Sequence, residues 1–269
     1  PTIFSSAGDF TYEVILVDSG SADGTAELAE SWLKRHAPAA AARVIRGSNR
    51  GFAAGNNAGL QLARGRYVLL LNPDTRLEPD TLRLMLEFMA SRPDVGIAGC
   101  KLLKADGSLD LACRRRFPNP WNSFARLFLH DNRSYNYTDI EADQSMEVDS
   151  VVGAFLLIRR PVLEQIGLLD ENFFMYGEDL DWCWRCKAAG HKVWYYPVAV
   201  CWHYKGRSSR QVPFPALKWF HDAMWIFYRK HYAARYFFLF NWLVFCGIYA
   251  RLGVLALLNA LKLRPAVSQ

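Results

Sequence analysis

Cysteine is sparse in this sequence and does not follow the pattern of a disulfide-stabilised protein. The six cysteines of the 269-residue chain lie at uneven intervals, and no signal peptide opens the sequence. We therefore expect a reducing, cytoplasmic setting and not a secreted fold held by disulfides. Cys183 and Cys186 match C-x-x-C, but the second pair that such a zinc site needs is missing. We expect them to be small buried groups on a helix, with a redox or metal role as the weaker alternative.

The familiar glycine-rich nucleotide motifs are also missing. The chain contains neither G-x-G-x-x-G nor a Walker loop, so the sequence supports neither a dinucleotide-binding fold nor a P-loop enzyme. Internal repeats and low-complexity tracts are absent as well. Because 51% of the residues are apolar and 22% are charged, the composition is that of a globular protein. Its length suffices for one large domain or two small ones.

Positive charge is concentrated towards the carboxyl end of the chain. From Lys205 onward there are ten basic residues and one acid, a net charge of +9, whereas residues 1–204 carry −3. Within this part, residues 236–261 contain a single charge, Arg251, and would span about 39 Å as a helix. The basic groups are interleaved with Phe, Leu and Trp, which favours a membrane surface over nucleic acid. A helix on the membrane, a helix across it and a buried helix pair all remain open.

Short apolar runs alternate with helical patterns along the first two hundred residues. Strands are predicted at 13–17, 43–46, 67–71, 95–103, 148–158 and 193–203, and helices after residue 25, at 53–64, from Pro79, from Pro161 and at 175–190. Continuous apolar runs such as EVILV and YVLLL are typical of buried parallel strands. The pattern therefore predicts an α/β protein with a mostly parallel sheet. Residues 113–147 show no period and are predicted to be a variable loop region near the active site.

Polar side chains follow several of the predicted strands. Asp18 ends the first strand, Asn72 and Asp74 follow YVLLL, and His203 ends the last strand. Ligands of open α/β sheets bind at the carboxyl ends of strands. Carboxylates that meet there repel each other unless a cation or a substrate hydroxyl engages them. An aspartate and a histidine at such ends form a candidate ligand pair for a hard metal ion.

A segment rich in small residues, NRGFAAGNN, precedes the second predicted helix at residues 49–57. Small side chains let the backbone approach a ligand, and the start of a helix directs N–H groups towards it. Alone, this is a weak signal for phosphate binding, and Arg50 pairs either with phosphate or with solvent.

The stretch MYGEDLDWCWR, residues 175–185, places three carboxylates among aromatic side chains. Glu178 and Asp179 would open a helix, where the macrodipole stabilises negative charge, and Asp181 would pair with Arg185 one turn later. Helix capping alone accounts for the stretch in isolation. The carboxylates at the strand ends make capping alone an insufficient explanation, because carboxylates that close repel each other unless a cation or a substrate hydroxyl engages them.

Five segments together resemble the family 2 inverting glycosyltransferases of the GT-A fold, most closely the bacterial rhamnosyltransferase-like members. They are EVILVDSGSADGT, NRGFAAGNN, YVLLLNPDT, GAFLLIRRPVLEQIGLLDENFFMYGEDLDWCWR and WHYKGRS. The resemblance covers residues 12–210. It implies a GT-A type, Rossmann-like and mostly parallel sheet flanked by helices within residues 1–210. Residues 211–269 would follow as a basic, apolar, membrane-associated helical tail.

The resemblance implies a role for each cluster. Asp179 would be the general base, with Glu178 beside it, and Trp182 and Tyr176 would face the acceptor. Mn²⁺ or Mg²⁺ would be held against the diphosphate by Asp74 and His203. The nucleotide-sugar site would comprise Asp18, Ser21, Asn49, Arg50, Gly51, Asn56, Asn72, Asp74, Lys205 and Arg207.

The implied activity is transfer of a sugar from a dTDP- or UDP-sugar, with dTDP-rhamnose as the candidate donor, to a glycan or lipid-linked acceptor. The setting would be the cytoplasmic face of the membrane, with a peripheral or single-span tail and no nucleic-acid partner. PTIFSSAGDF lacks the apolar first strand on which donor binding depends in the family, so a truncated inactive or scaffold protein of a polysaccharide assembly complex is the alternative. A sugar-nucleotide pyrophosphorylase would need a glycine-rich loop with a basic residue near the N-terminus, which this sequence lacks.

Overall fold

The computed structural model describes residues 2–5, 10–36, 42–129, 131, 133–204 and 213–261. In chain order the strands and helices are α1 (Thr2–Ser5), β1 (Val14–Asp18), α2 (Thr25–His36), β2 (Ala42–Arg46), α3 (Phe52–Leu60), β3 (Tyr67–Leu71), β4 (Thr75–Leu77), α4 (Thr81–Ser91), β5 (Val95–Leu103), α5 (Pro120–Phe128), α6 (Arg133–Asn136), β6 (Met146–Val148), β7 (Phe155–Arg159), α7 (Arg160–Ile166), α8 (Glu178–Ala188), β8 (Lys192–His203), α9 (Pro213–His231) and α10 (Phe238–Ala260). The α/β prediction is confirmed.

The main sheet has six strands and is mixed. Its order is β3-β7-β5-β8-β4, with β6 also paired to β8, while β1 and β2 form a separate parallel pair. Within the six-stranded sheet only β5 and β8 run parallel among the described pairings. The prediction of a mostly parallel sheet is therefore wrong. A continuous apolar run indicates that both faces of a strand are buried, but it does not indicate the direction of the strand. The sequence of β7, FLLIR, is such a run, and β7 pairs antiparallel with β3.

The core lies along the centre of the main sheet. Ile97 of β5, Leu156 and Ile158 of β7, and Val193 of β8 are all fully buried. Full burial of an aliphatic side chain of this size stabilises the fold by about 1.5–3 kcal/mol. These strands form the centre of the core, and the site lies where strands β3 and β8 end.

Two predicted segments differ from the observed structure. Residues 148–158 were expected as one strand but form the end of β6 and most of β7, with a loop between them. The region 113–147 is more ordered than predicted, because it contains α5 and α6. The side chain of Asn119 accepts hydrogen bonds from the N–H groups of Trp121 and Asn122, and Pro120 occupies the first turn, so α5 has a complete amino-terminal cap.

Helix α8 is anchored by buried charges. Gly177, in the left-handed region at φ 84°, starts the helix. Asp181 is fully buried, with an ion pair to Arg185 at 2.8 Å and a hydrogen bond to His231 at 2.8 Å. Cys183 and Cys186 are fully buried in the same helix, and burial raises the pKa of the Cys183 thiol to about 11. The expectation that the C-x-x-C pair supplies small buried groups is confirmed.

Residues 213–260 form two packed helices at the carboxyl end of the described chain. Phe227 of α9 packs against Phe173 and Leu180, which ties α9 to the main domain. Helix α10 is the one described helix long and apolar enough to cross a membrane, and it is therefore a candidate membrane anchor. Since Phe238 is 82% exposed and Leu257 61%, a buried helix pair is wrong for α10.

Strands β1 and β3 each have one sheet partner and both line a large cavity. Its volume is about 2930 Å³. Residues 2–5, where the sequence lacks an apolar strand, form helix α1, whose Thr2 hydroxyl accepts the N–H of Leu77. Among the described residues no strand precedes β1.

Candidate active site

One cavity collects most of the predicted site residues from widely separated parts of the chain. Those that line it are Asp18, Ser21, Asn49, Gly51, Asn56, Asn72, Asp74, Tyr176, Glu178, Asp179 and His203. The strand ends and the start of α8 therefore face the same cavity. Arg50 and Trp182 are the described candidates that do not line it, and Lys205 and Arg207 lie outside the described residues.

Asp18 lies at the carboxyl end of β1 and is held by the loop that follows it. Its carboxylate accepts the N–H groups of Gly20 at 3.2 Å and Ser21 at 3.1 Å. Hydrogen bonds from the side chain and backbone of Ser21 lower the pKa of Asp18. The carboxylate is thus preorganised as an anion at the cavity wall, where it can accept hydrogen bonds from a ligand.

The segment of residues 49–57 packs closely against the chain that leads into α8. Gly51 has φ +97°, a Cβ at this position would overlap the carbonyl oxygen of Phe174, and the N–H of Phe52 donates to that oxygen at 2.7 Å. Glycine is needed here because the backbone of residue 51 packs directly against the backbone of Phe174, and not against a ligand as the sequence predicts. Asn49 accepts the N–H of Gly51.

Arg50 does not reach the cavity. Its guanidinium pairs with Glu171 at 3.2 Å, and its side chain is 72% exposed. The prediction that Arg50 belongs to the nucleotide-sugar site is wrong for this conformation, because a nearby surface carboxylate holds the side chain.

His203, at the end of β8, lies between two carboxylates. Thr75 of β4 pairs with His203 in the sheet, which brings Asp74 within 3.4 Å of the imidazole Nε2. Asp110 lies 3.2 Å from Nδ1 and is almost fully buried. Burial opposes the charged imidazolium, but the hydrogen bonds to Asp110 and Asp74 outweigh it and raise the pKa of His203 to about 9. Sequence reasoning missed Asp110, whose only signal is its position just after the turn that ends β5.

Asp74 and His203 supply part of the ligand set that a divalent metal ion needs. In the part of the chain that the structure describes, no group of three or more His, Cys, Asp or Glu side chains could hold a metal ion. Asp74 offers an oxygen donor, and His203 offers a nitrogen donor once its imidazole loses the proton that the two carboxylates stabilise. Asp110 would orient the imidazole as a carboxylate commonly does behind a metal-bound histidine. The remaining positions would fall to diphosphate oxygens and water, an arrangement that Mg²⁺ and Mn²⁺ accept.

Asp179 is buried and held from several directions at the start of α8. Arg115 donates to its Oδ2 at 2.9 Å, and the N–H of Gly153 donates to the same oxygen at 3.0 Å. Only 10% of the Arg115 side chain and 6% of the Asp179 side chain are exposed. Burial disfavours the guanidinium charge, yet the neighbouring Asp179 carboxylate raises the pKa of Arg115. Arg115 lies in the CRRRFPNPW segment, where sequence reasoning placed only a loop.

Glu178 differs from Asp179 in that it forms no ion pair among the described residues. Burial, followed by the repulsion from Asp179, raises the pKa of Glu178 to about 8. Its Oε2 is buried and has no hydrogen-bond partner among the described residues. At neutral pH the side chain is therefore mostly a neutral acid at the cavity wall, able to donate a hydrogen bond to a ligand.

The two aromatic candidates behave differently. Tyr176 lines the cavity with a backbone φ of 70°, uncommon for a residue with a side chain, and its ring contacts Phe220 of α9 edge-on. Trp182 is fully buried, and its indole N–H donates to the carbonyl of Gly167 at 2.8 Å. The prediction that Trp182 faces the acceptor is wrong, because its position on α8 points it into the core.

The chain is similar in sequence to two named rhamnosyltransferases. The chain is 27% identical over 251 residues to the N-acetylglucosaminyl-diphospho-decaprenol L-rhamnosyltransferase of Mycobacterium tuberculosis, covering 83% of this chain and 76% of that protein. It is 26% identical over 182 residues to the rhamnosyltransferase WbbL of Escherichia coli, covering 65% of this chain and 69% of that protein.

Two solved glycosyltransferase structures have a similar fold. One is the mannosyltransferase PcManGT of Pyrobaculum calidifontis in complex with GDP-Man and Mn²⁺, with a TM-score of 0.54 and 20% identity over 82% of this chain and 56% of that one. The other is GalNAc-T7 with UDP, GalNAc and Mn²⁺, with a TM-score of 0.53 and 14% identity over 76% of this chain and 39% of that one. The GT-A fold is thereby confirmed. The model of the family described as "Glycosyltransferase like family 2" matches residues 5–219, and the chain belongs to that family of glycosyltransferases.

Proposed function

We propose that this protein is a metal-dependent inverting glycosyltransferase that moves a sugar from a nucleotide-sugar to a lipid-linked or polysaccharide acceptor at a membrane. The observation that carries the proposal is the single cavity lined by Asp18, Asp74, Glu178, Asp179 and His203. An inverting transfer needs one base for the acceptor hydroxyl and charge compensation for the leaving diphosphate. The cavity holds a candidate for each of these tasks.

Asp179 is the proposed base. Its Oδ2 is held by Arg115 and Gly153, so the carboxylate has a fixed orientation. It takes the proton of the acceptor hydroxyl while the hydroxyl oxygen bonds to the anomeric carbon and the bond from that carbon to the diphosphate breaks. Glu178, neutral beside it, donates a hydrogen bond to the acceptor or the donor sugar without competing for the proton.

Asp74 and His203 are the proposed holders of Mn²⁺ or Mg²⁺, and Asp110 orients His203. When bound, the ion would neutralise charge on the leaving diphosphate. Asp18 and Ser21, with Asn49 and the other donor-site candidates, line the part of the cavity that would receive the nucleotide. Lys205 and Arg207 stay predictions for the diphosphate.

The donor and acceptor are proposed from the relatives. Two of them are named rhamnosyltransferases, and the mycobacterial one is named for a diphospho-decaprenol acceptor. We therefore take dTDP-rhamnose as the first donor to test and a polyprenyl-diphosphate-linked sugar as the first acceptor. Residues 1–210 would form the transferase domain and residues 211–269 the membrane-associated tail, at the cytoplasmic face where nucleotide-sugars are found.

Calorimetry tests donor binding and separates this proposal from a scaffold role. UDP and dTDP would be titrated into the detergent-purified protein, first with Mn²⁺ and then with EDTA. Metal-dependent binding of one nucleotide would support the transferase and identify its base. If neither nucleotide binds, a scaffold role becomes the better explanation. Asp74→Asn, compared with the exposed Asp143→Asn, should weaken only the metal-dependent part of the binding.

A further inference from the structure

Helix α10 has its polar groups facing inward and its apolar groups facing outward. Asn241 accepts the hydroxyl of Tyr228 at 2.6 Å, and the hydroxyl of Tyr249 donates to Asp222 at 3.0 Å. Arg251, the only charged residue of α10, lies 2.8 Å from His221. All three partners belong to α9. A helix on a water-exposed surface normally shows the opposite distribution, with its polar side chains outward.

The outward face of α10 is apolar along its whole length. The large exposed residues on this face and at the two ends of the helix are Phe237, Phe238, Leu239, Trp242, Val254, Leu257 and Leu261, each between 49% and 82% exposed. The face contains no charged residue over the 23 residues from Phe238 to Ala260. An uncharged apolar face of this length, rich in aromatic residues at one end, fits hydrocarbon and the lipid interface better than a protein partner, whose surface would offer polar groups at the rim.

The contacts with α9 decide how such a helix can meet a bilayer. Contacts from Asn241 to Arg251 hold α10 alongside α9, and the rings of Trp225 and Phe245 meet at 5.1 Å between them. Helix α9 in turn is fixed to the main domain, because Lys230 pairs with Asp170 at 2.6 Å. If α10 crossed the bilayer, it would draw α9, with its charged residues, into the hydrocarbon. Burying such charges is costly.

We propose that α10 lies in the plane of a lipid bilayer, with its outward face inserted at the headgroup boundary and its inward face held by α9. This inference goes beyond sugar transfer, and it would also explain how a lipid-linked acceptor reaches the site. Leu243, Gly247 and Leu255 of α10 line the same cavity as Asp74 and Asp179. The proposed acceptor would then enter along the membrane plane, a corollary that rests on the proposed function.

The first experiment measures partition of the full chain onto vesicles of phosphatidylcholine and phosphatidylglycerol, without donor or acceptor. The variant Val254→Glu/Leu257→Glu places two charges on the outward face, at residues 58% and 61% exposed. The matched control Leu28→Glu/Val198→Glu changes the same residue types at 68% and 57% exposure elsewhere on the surface. We expect the first variant to lose at least tenfold in vesicle partition and the control to match the wild type. Equal partition of both variants, or no partition of the wild type, would overturn the proposal.

The second experiment distinguishes a helix in the plane from a helix across the bilayer. Cys246 is the only cysteine that is not buried, so it can be labelled with a nitroxide, and Leu239→Cys and Leu257→Cys in a Cys246→Ser background give two further sites on the same face. In the plane, the three labels have the same depth. Across the bilayer, position 246 lies deeper than position 239 by about 10 Å, since a helix rises 1.5 Å per residue. A graded depth refutes the in-plane orientation.

Sedimentation velocity of the wild type without lipid completes the test. A stable dimer that the Val254→Glu/Leu257→Glu variant abolishes, together with weak vesicle binding, would assign the face to a second copy of the chain and overturn the proposal. Because none of these measurements requires sugar transfer, failure of the membrane inference can be told apart from failure of the proposed activity.

Discussion

Glu178→Gln is expected to make the protein more stable at neutral pH. The pKa of Glu178 is raised from 4.5 to about 8, first by burial and then by Asp179. Above pH 4.5 the carboxyl ionises in the unfolded chain while it stays protonated in the folded one, so the free energy of unfolding falls as pH rises towards 8. Each pH unit in this window corresponds to about 1.4 kcal/mol, which gives about 3 kcal/mol at pH 7. Glutamine keeps the shape and stays neutral, so it removes this dependence.

Urea unfolding of both proteins from pH 4 to pH 8.5 measures the effect. We expect the variant and the wild type to have similar free energies of unfolding near pH 4. Between pH 4 and pH 8 the free energy of unfolding of the wild type should fall relative to that of the variant. Glu164→Gln, on an exposed turn of α7, is the matched control and should follow the wild type at every pH. A difference between Glu178→Gln and wild type that does not change with pH would refute the reasoning, because Glu178 would then have the same pKa in both states.

Three further substitutions test the surroundings of the site. Arg115→Gln should lower the free energy of unfolding by about 3–5 kcal/mol, because it removes the cationic partner of the buried Asp179 carboxylate. The same change at the exposed Arg50 should lower it by less than about 1 kcal/mol. Asp110→Asn should weaken Mn²⁺ binding in the presence of nucleotide by about 10–100-fold in calorimetry, with unaltered affinity contradicting its proposed orienting role. Trp182→Phe should lower thermal stability and leave the KM for the acceptor unchanged, whereas a raised KM would return this residue to the acceptor site.

The sequence predicted which polar residues face a common cavity better than it predicted the sheet. The polar residues after β1, β3 and β8 could be assigned to one edge because strand ends in such sheets converge, and the cavity brings Asp18, Asp74 and His203 together. Strand direction could not be predicted in the same way. Apolar runs indicate burial, and the pairing of β7 between β3 and β5 depends on contacts between residues some sixty positions or more apart.

The residues missed are those whose role depends on tertiary contacts. Arg115 and Asp110 come from a region without a period, and only the fold brings them to Asp179 and His203. Trp182 was misplaced for a related reason. Tyr176, which lines the cavity, precedes α8, whereas Trp182 lies within the helix and is fully buried in the core. The sequence predicted that the backbone at Gly51 approaches a ligand, whereas in the structure it approaches the backbone of Phe174.

Transfer by the Asp179→Asn variant is the most direct test of the proposed chemistry. Sugar transfer from dTDP-rhamnose and from UDP-sugars to a polyprenyl-diphosphate-linked acceptor would be measured with Mn²⁺, alongside nucleotide binding in the same samples, for the wild type, Asp179→Asn and Asp143→Asn. The account predicts that Asp179→Asn loses about 10²–10⁴-fold in turnover while nucleotide affinity stays close to that of the wild type. Asp143→Asn should behave as the wild type. Normal turnover in Asp179→Asn would contradict the assignment of the base, and with it the central claim.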